Sequence, residues 1–154
     1  MENYQAKLAT PFAVIGIITD AGKLTAVNFL LPGSPILPPQ DHVAAETCVQ
    51  ICHYLRDPKF CFDLPLALSG TEFQQRTWHA LLMISSGSTI SYSELARHTG
   101  SGARAVANAC GANPIPLVIP CHRVVAKHGL GGFMRGQKAT SLSIKRWLLA
   151  HEQS

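Results

Sequence analysis

Two stretches near the start of the chain, residues 11–18 and 23–31, are apolar and rich in β-branched side chains. Between them lies Asp20-Ala21-Gly22, whose residue types favour a tight turn. This pattern predicts a β-hairpin. The proline-rich residues 32–39 follow and predict a loop.

A helix is predicted at residues 42–56, because apolar positions recur there at helical spacing. Asp41 precedes it as a candidate N-cap, and Asp57-Pro58 predicts its end. The expected buried face contains Val43, Ala44, Thr47, Cys48, Ile51, Cys52 and Leu55. Beyond it we predict a short strand at residues 60–62 and a buried connector at residues 64–68. None of these residues indicates catalysis, so we expect the first part of the chain to be a scaffold.

Three further helices are predicted in the second half of the chain. Thr71 is a candidate cap for a helix at residues 72–83, whose expected buried face is Phe73, Thr77, Trp78, Leu81 and Leu82. Ser91-x-x-Glu94 has the form of a capping box and starts a short helix that Gly100 ends. A further helix at residues 102–111 follows the turn. Helix, tight glycine turn, helix is typical of a helix-turn-helix motif, although the small side chains of the second helix would equally suit close helix packing.

A last helix is expected to begin with Thr140 or Ser141 as its cap. Its predicted core face contains Leu142, Trp147 and Leu148, and Glu152 lies near its end. A glutamate near a chain end is, from its position alone, an ordinary solvated residue.

Composition indicates a globular intracellular protein. The chain has 154 residues, of which 47% are hydrophobic and 14% charged, which suits one compact unit or two small ones. We find no apolar run of about 18 residues that would span a membrane and no secretory signal. The five cysteines are an odd number without disulfide-framework spacing, so we expect a reducing compartment, the cytoplasm.

A metal site formed by Cys48, Cys52 and His53 would be an alternative use of two of these cysteines. They lie on a helical pattern without a convincing fourth ligand, so we expect Cys48 and Cys52 to be core residues. The sequence therefore predicts no metal.

Charge is unevenly distributed along the chain. Residues 1–70 contain four Lys/Arg and six Asp/Glu, whereas residues 71–154 contain nine and three. A basic second half favours an anionic partner, although a basic surface alone is common.

Candidate chemistry is concentrated in Pro120-Cys121-His122-Arg123, which follows the apolar run of residues 115–119. This pattern predicts an extended segment that presents a thiol where burial ends. Neighbouring positive charge lowers a thiol pKa and favours the nucleophilic thiolate, so His122 and Arg123 are expected to activate Cys121. Because adjacent side chains of an extended segment point to opposite sides, a bridging water would carry the proton from Cys121 to His122. A buried, inert cysteine is the alternative.

The motif Pro-Cys-His-Arg-Val, with Asn113-Pro114 before it and a Gly-rich turn after it, resembles the active-site signature of the 6-O-alkylguanine-DNA alkyltransferase family. The resemblance runs from about Gly70 to Glu152 and includes Gly-Thr-x-Phe-Gln-x-x-x-Trp at its start. It implies direct reversal of DNA damage. A methyl or alkyl group would pass from 6-O-alkylguanine, with 4-O-methylthymine as a second candidate lesion, to Cys121 in a single turnover that inactivates the protein.

The resemblance also implies roles for individual residues. Glu152 would orient His122 as a base, and Tyr92 would contact the flipped nucleotide and protonate the departing guanine. Asn113 would connect the recognition helix to the active-site segment. Arg104 would occupy the space that the flipped nucleotide leaves, and Ala105 and Arg123 match further DNA-binding positions.

The implied fold is α/β, with a small N-terminal ribonuclease-H-like domain at residues 1–69 and a C-terminal winged helix-turn-helix domain at residues 70–154. The expected partner is double-stranded DNA that contains alkylated guanine, the expected state is a monomer without a membrane partner, and no cofactor is expected. Phe133, Met134 and Arg135 depart from the family pattern near the guanine pocket. Two other hypotheses remain open, a DNA-binding regulator that uses Cys121 as a sensor and a cysteine hydrolase.

Overall fold

The computed structural model describes residues 3–132 and 138–154. The chain is a mixed α/β protein with two compact units, Met1–Leu68 and Ser69–Ser154. This division lies one residue from the domain limits expected from the sequence, and the roles expected for the two parts stay predictions.

The first unit contains a three-stranded antiparallel sheet in the order β1 (Ala6–Ala9), β2 (Val14–Asp20) and β3 (Lys23–Leu30). The β2–β3 hairpin is confirmed. Its two-residue turn places Ala21 and Gly22 at φ 50° and 76°, the left-handed backbone that such hairpins require. Strand β1 was not predicted, because four residues of mixed polarity give little periodic signal.

Helix α1 (His42–Arg56) packs against this sheet and confirms the predicted bounds. Asp41 is its N-cap, and its carboxylate accepts a hydrogen bond of 2.8 Å from the Ala44 N–H. The buried face includes Gln50 and Tyr54, which the sequence pattern did not predict. Cys48 and Cys52 are only half-buried free thiols, so their prediction as core residues was wrong.

Residues 60–62 do not form the predicted strand. Phe60 stacks on His53 with ring centroids 5.3 Å apart, and Phe62 lies 5.6 Å from the Tyr54 ring. The aromatic pattern therefore reflects packing against α1. Residues 64–68 are partly exposed rather than buried, and Leu66 forms a single parallel bridge to Leu24.

The second unit begins with α2 (Glu72–Leu81), whose N-cap Thr71 forms a complete capping box with Gln74. The Trp78 indole donates to the Ala109 carbonyl at 2.9 Å, which joins α2 to a later helix. Of the predicted buried face, Leu82 is 40% exposed, because α2 ends at the residue before it.

The two helices predicted on either side of the glycine turn are present as α3 (Tyr92–Thr99) and α4 (Ala103–Gly111). The Ser91 hydroxyl caps α3 by accepting from the Glu94 N–H. Gly100 ends α3 in the left-handed conformation at φ 69°, where glycine is the most easily accommodated residue.

A two-stranded parallel pair joins β4 (Ile90–Ser91) to β5 (Val124–Val125). The last helix, α5 (Lys138–Gln153), begins before Thr140 and Ser141, so the prediction that one of them caps it was wrong. Leu148 is buried as predicted, whereas Leu142 and Trp147 are only partly buried. In the described part of the chain, no helix has the length and apolar character needed to cross a membrane.

Candidate active site

The loop between α4 and Cys121 is closed by one buried side chain, that of Asn113. Its Oδ1 accepts from the Ile115 N–H at 2.9 Å, and its Nδ2 donates to the Ile119 carbonyl at 2.8 Å. The same carbonyl accepts from the Cys121 N–H at 2.8 Å. Pro120 lies between them at φ −81° and ψ 65°, the geometry of an inverse γ-turn. Asn113 thus fixes the turn that presents Cys121.

Cys121–Arg123 forms one turn of 3₁₀ helix, so the prediction of an extended segment was wrong. The β-branched residues of the apolar run at 115–119 gave a strand-like pattern, but this run forms a closed turn. Burial also continues beyond the thiol, since Cys121 is 4% exposed and His122 is fully buried. Neighbouring side chains of a 3₁₀ helix diverge by about 120°, so His122 and Cys121 still point in different directions.

Glu152 reaches into the unit from the end of α5 and binds two consecutive residues of this turn. Its Oε2 lies 2.7 Å from His122 Nε2. The Arg123 guanidinium donates to both carboxylate oxygens, at 2.9 Å from Nε and 3.0 Å from Nη2. Glu152 is 4% exposed, so the solvated position suggested by its place in the sequence is not the one it takes.

This arrangement sets the tautomer of His122. A carboxylate can only accept hydrogen bonds, so Nε2 must carry the proton that it shares with Glu152. Nδ1 is then left with its lone pair. Nδ1 is buried, and no described residue forms a hydrogen bond with it. Burial lowers the pKa of His122, although Glu152 opposes this effect. The resting imidazole is therefore neutral, with a basic nitrogen that can accept a proton.

The structure does not show the lowered Cys121 pKa that positive charge on His122 and Arg123 was expected to cause. Burial raises the pKa of the Cys121 thiol to about 11, while a hydrogen bond from Asn113 and the charge of Lys145 act in the opposite direction. The Arg123 charge is paired with Glu152, and the third guanidinium contact is to the Ile84 carbonyl at 2.6 Å. The resting cysteine is thus a neutral thiol.

Tyr92 is brought to the same cluster from the start of α3. Burial raises the pKa of Tyr92 to about 12, and the neighbouring Cys110 and Cys121 add to the effect. Its hydroxyl donates to the Gly132 carbonyl at 3.4 Å. The phenol therefore keeps its proton at neutral pH and is a potential proton donor.

Lys145 is a member of the site that the sequence analysis missed. Its side chain is fully buried in α5, and Nζ donates to the carbonyls of Val124, Leu130 and Gly132 at 2.8, 2.5 and 2.8 Å. An ammonium group has three donors and no acceptor, so these contacts use all of them. Burial lowers its pKa to about 8, and a thiolate formed at Cys121 or Cys110 would act in the opposite direction.

A signal for Lys145 was present in the sequence. Residues 141, 144, 145, 148 and 152 share one buried face of α5, and helical spacing alone places Lys145 on that face beside Ile144 and Leu148. Cys110, near the end of α4, was overlooked for a different reason. Burial raises the pKa of the Cys110 thiol to about 12, and a thiolate at the nearby Cys121 would add to this effect. The sequence contains no signal for the proximity of the two cysteines.

The residues expected to bind DNA fall into two groups. Arg104 and Ala105 lie on the exposed face of α4, near its first turn. Arg123 has only 11% of its side chain exposed and is committed to Glu152 and Ile84. The assignment of Arg123 to DNA contact stays a prediction, made for a guanidinium that is already bound to Glu152 and Ile84.

The departures at Phe133, Met134 and Arg135 lie outside the described residues. Within the described residues, no group of three or more His, Cys, Asp or Glu side chains is arranged to hold a metal ion. The cluster around Cys121 therefore consists of five kinds of group: a thiol, an imidazole, a carboxylate, a phenol and an ammonium group. Its members can move a proton away from a sulfur atom and supply one elsewhere.

Comparison with known proteins gives consistent results. Residues 72–154 match the model of the 6-O-methylguanine DNA methyltransferase DNA-binding domain. A methylated-DNA–protein-cysteine methyltransferase of Methanosarcina acetivorans is 36% identical over 159 residues, covering 98% of this chain and 99% of the relative. A probable enzyme of the same name from Acanthamoeba polyphaga mimivirus is 47% identical over 93 residues, covering 59% of each protein.

Solved structures extend the similarity to both units. Mycobacterium tuberculosis OGT, crystallised in complex with DNA, superimposes with a TM-score of 0.78 at 32% identity, covering 96% of this chain and 91% of that one. The similarity therefore reaches beyond the matched domain into the first unit.

Proposed function

Because the chain belongs to the 6-O-methylguanine DNA methyltransferase family, we propose that it reverses alkylation damage in DNA by transferring the alkyl group to Cys121. The observation that carries this proposal is the cluster around Cys121, in which His122 is neutral, bound to Glu152 through Nε2 and basic at Nδ1. The substrate is 6-O-alkylguanine in duplex DNA, and 4-O-methylthymine is a second candidate lesion.

The reaction begins with removal of the Cys121 proton, which passes to His122 Nδ1 through a bridging water. The imidazolium that forms lies against Glu152, and the charge of that carboxylate stabilises it. The thiolate then attacks the alkyl carbon. A sulfur–carbon bond forms as the carbon–oxygen bond to guanine breaks.

The departing guanine must regain a proton, and Tyr92 is the candidate donor. Its raised pKa keeps the phenol protonated at neutral pH. The negative charge that it takes on is compensated nearby, since Lys145 Nζ lies 5.9 Å from the centre of its ring. Tyr92 thus donates one proton to the guanine, and His122 accepts a different proton from the Cys121 sulfur.

The product on Cys121 is a thioether, which is a poor leaving group, and none of the assigned steps restores the thiol. Each protein molecule therefore acts once. This outcome distinguishes the proposal from a cysteine hydrolase, which regenerates its nucleophile, and from a regulator that senses damage without removing it.

DNA binding is assigned to the helix-turn-helix. The exposed face of α4 contains Arg104 among small residues such as Ala105, so this helix can approach a groove closely. A base inside a duplex cannot reach a buried thiol, so the damaged nucleotide must leave the stack. Arg104 fills the space that it leaves. We reassign Arg123 from DNA contact to holding Glu152, on the basis of its three hydrogen bonds.

The first unit is proposed to be a scaffold of ribonuclease-H-like fold, on the basis of its antiparallel strands followed by α1. The second is proposed to be a winged helix-turn-helix domain. The monomeric state and the cytoplasmic location expected from the sequence remain part of the proposal.

Peptide mapping by mass spectrometry tests the function directly. After incubation with a duplex oligonucleotide containing 6-O-methylguanine, the peptide that contains Cys121 should gain the mass of CH2, because a methyl group replaces the thiol hydrogen. Modification of another cysteine, or of none while the oligonucleotide stays methylated, would contradict the proposal.

A further inference from the structure

Leu117 has a backbone conformation that leucine rarely adopts. Its φ is 77°, in the left-handed region where the side chain of an L-residue crowds the following carbonyl. Among the described residues, Ala21 is the other non-glycine residue with positive φ, and it lies in the exposed hairpin turn. Leu117 is instead 1% exposed.

The position of Leu117 connects this conformation to the nucleophile. It lies inside the turn in which the Ile119 N–H donates to the Ile115 carbonyl at 2.9 Å. Asn113 binds both residues at the ends of this turn, through the Ile115 N–H and the Ile119 carbonyl. The Ile119 carbonyl also accepts from the Cys121 N–H. A change of φ at Leu117 would therefore move the carbonyl on which Cys121 is anchored.

We propose that Leu117 is a positioning residue, whose buried side chain holds the 115–119 turn in a left-handed conformation and thereby fixes Cys121 for alkyl transfer. A strained conformation persists only where the surrounding structure enforces it. Here the enforcing contacts are the complete burial of the leucine side chain and the two hydrogen bonds of Asn113. The inference rests on the proposed alkyl transfer and names a residue that acts through Cys121.

Two substitutions separate backbone conformation from packing. Leu117→Ala removes most of the buried side chain but keeps the penalty for positive φ, so the turn can relax and displace Cys121. Leu117→Gly removes still more of the side chain but permits positive φ without strain. The rate constant for demethylation of a duplex oligonucleotide should therefore be higher for Leu117→Gly than for Leu117→Ala, by about 5–30-fold.

Val118 provides the matched control. It is the next residue, it is 5% exposed, and its φ is not positive. At this position glycine should be no better than alanine. Rates are compared at a temperature where circular dichroism finds every variant folded, and each is normalised to the amount of reactive Cys121 thiol.

A second pair of variants keeps most of the apolar side-chain volume at position 117, so these proteins should lose less stability than the alanine and glycine variants. Leu117→Met is unbranched at Cβ and should react at a rate close to that of the parent. Leu117→Val is β-branched, resists positive φ and should react more slowly than Leu117→Met.

Equal rates within both Leu117 pairs, or a slower Leu117→Gly than Leu117→Ala, would show that Leu117 only fills space and would overturn the inference. Failure of the parent protein to demethylate the oligonucleotide would instead contradict the proposed function.

Discussion

His122 Nε2 lies 2.7 Å from Glu152 Oε2, although 30 positions separate the two residues in the chain. The contact is fully buried and is reinforced by the Arg123 guanidinium on the same carboxylate. Because Arg123 offsets the negative charge of Glu152, the carboxylate orients the imidazole without forcing a second proton onto it. Nδ1 thus keeps its lone pair, as the proposed transfer of the thiol proton requires.

Glu152→Gln should slow alkyl transfer by about 10²–10⁴-fold, the usual contribution of a general base. A glutamine is uncharged, so it stabilises the imidazolium less and can also accept or donate at Nε2. Stopped-flow measurement of demethylation over a range of pH gives the rate. Glu72→Gln, at an exposed position of α2, removes the same charge and should react like the parent. Equal rates for Glu152→Gln and Glu72→Gln would exclude the relay.

Lys145→Met should lower the free energy of unfolding by roughly 2 kcal/mol or more, because buried carbonyls that lose their donor each cost about 1–3 kcal/mol. Chemical denaturation measures this value. The matched variant Lys127→Met changes an exposed lysine of the same unit and should stay within about 0.5 kcal/mol of the parent. A parent-like stability of Lys145→Met would mean that the three carbonyl contacts contribute little.

The raised pKa of Cys121 predicts a specific dependence of stability on pH. The folded thiol has a pKa of about 11 against an ordinary value of 9.0. Between these values the folded state keeps a proton that the unfolded chain releases, so the stabilising contribution is complete below about pH 9 and is lost as pH rises towards 11.

The difference in unfolding free energy between the parent and Cys121→Ser isolates this contribution, since other alkaline-titrating groups are common to both. The parent should lose more stability than Cys121→Ser over that window. A parallel decline of the two proteins would show that the buried thiol titrates normally.

Arg104→Ala should slow repair of duplex DNA strongly but leave reaction with free 6-O-benzylguanine nearly unchanged. Unstacking a nucleotide costs a few kcal/mol, which the arginine offsets by filling the gap, and the free base requires no unstacking. Duplex affinity should fall only modestly, because other basic residues still contact phosphates. If both rates fall by the same factor, Arg104 supports the active site and not the extrahelical nucleotide.

Local signals in the sequence predicted the helices well, because helix ends depend on nearby residues. Asp41, Thr71 and Ser91 all cap the helices that they were expected to cap, and Gly100 ends α3 as predicted. Residues 60–62 show the limit of such signals. Their aromatic side chains suit a strand, but contacts with His53 and Tyr54 decided their conformation.

The residue types of the candidate site were predictable from the sequence, but its geometry was not. Cys121, His122 and Glu152 were identified through the family motif, whereas the 3₁₀ turn and the raised thiol pKa depend on how α5 and the 115–119 turn enclose them. The spacing of the buried face of α5 includes Lys145, but its three partners are backbone carbonyls, so the sequence indicates its burial and not its contacts.

The central claim is a single stoichiometric transfer to Cys121, and titration of the protein with methylated duplex DNA tests it most directly. The number of methyl groups removed per protein molecule should plateau near one, and every transferred methyl group should be recovered on Cys121. Cys121→Ser should bind the same DNA and remove none. Continued demethylation beyond one equivalent, or removal by Cys121→Ser, would contradict the account.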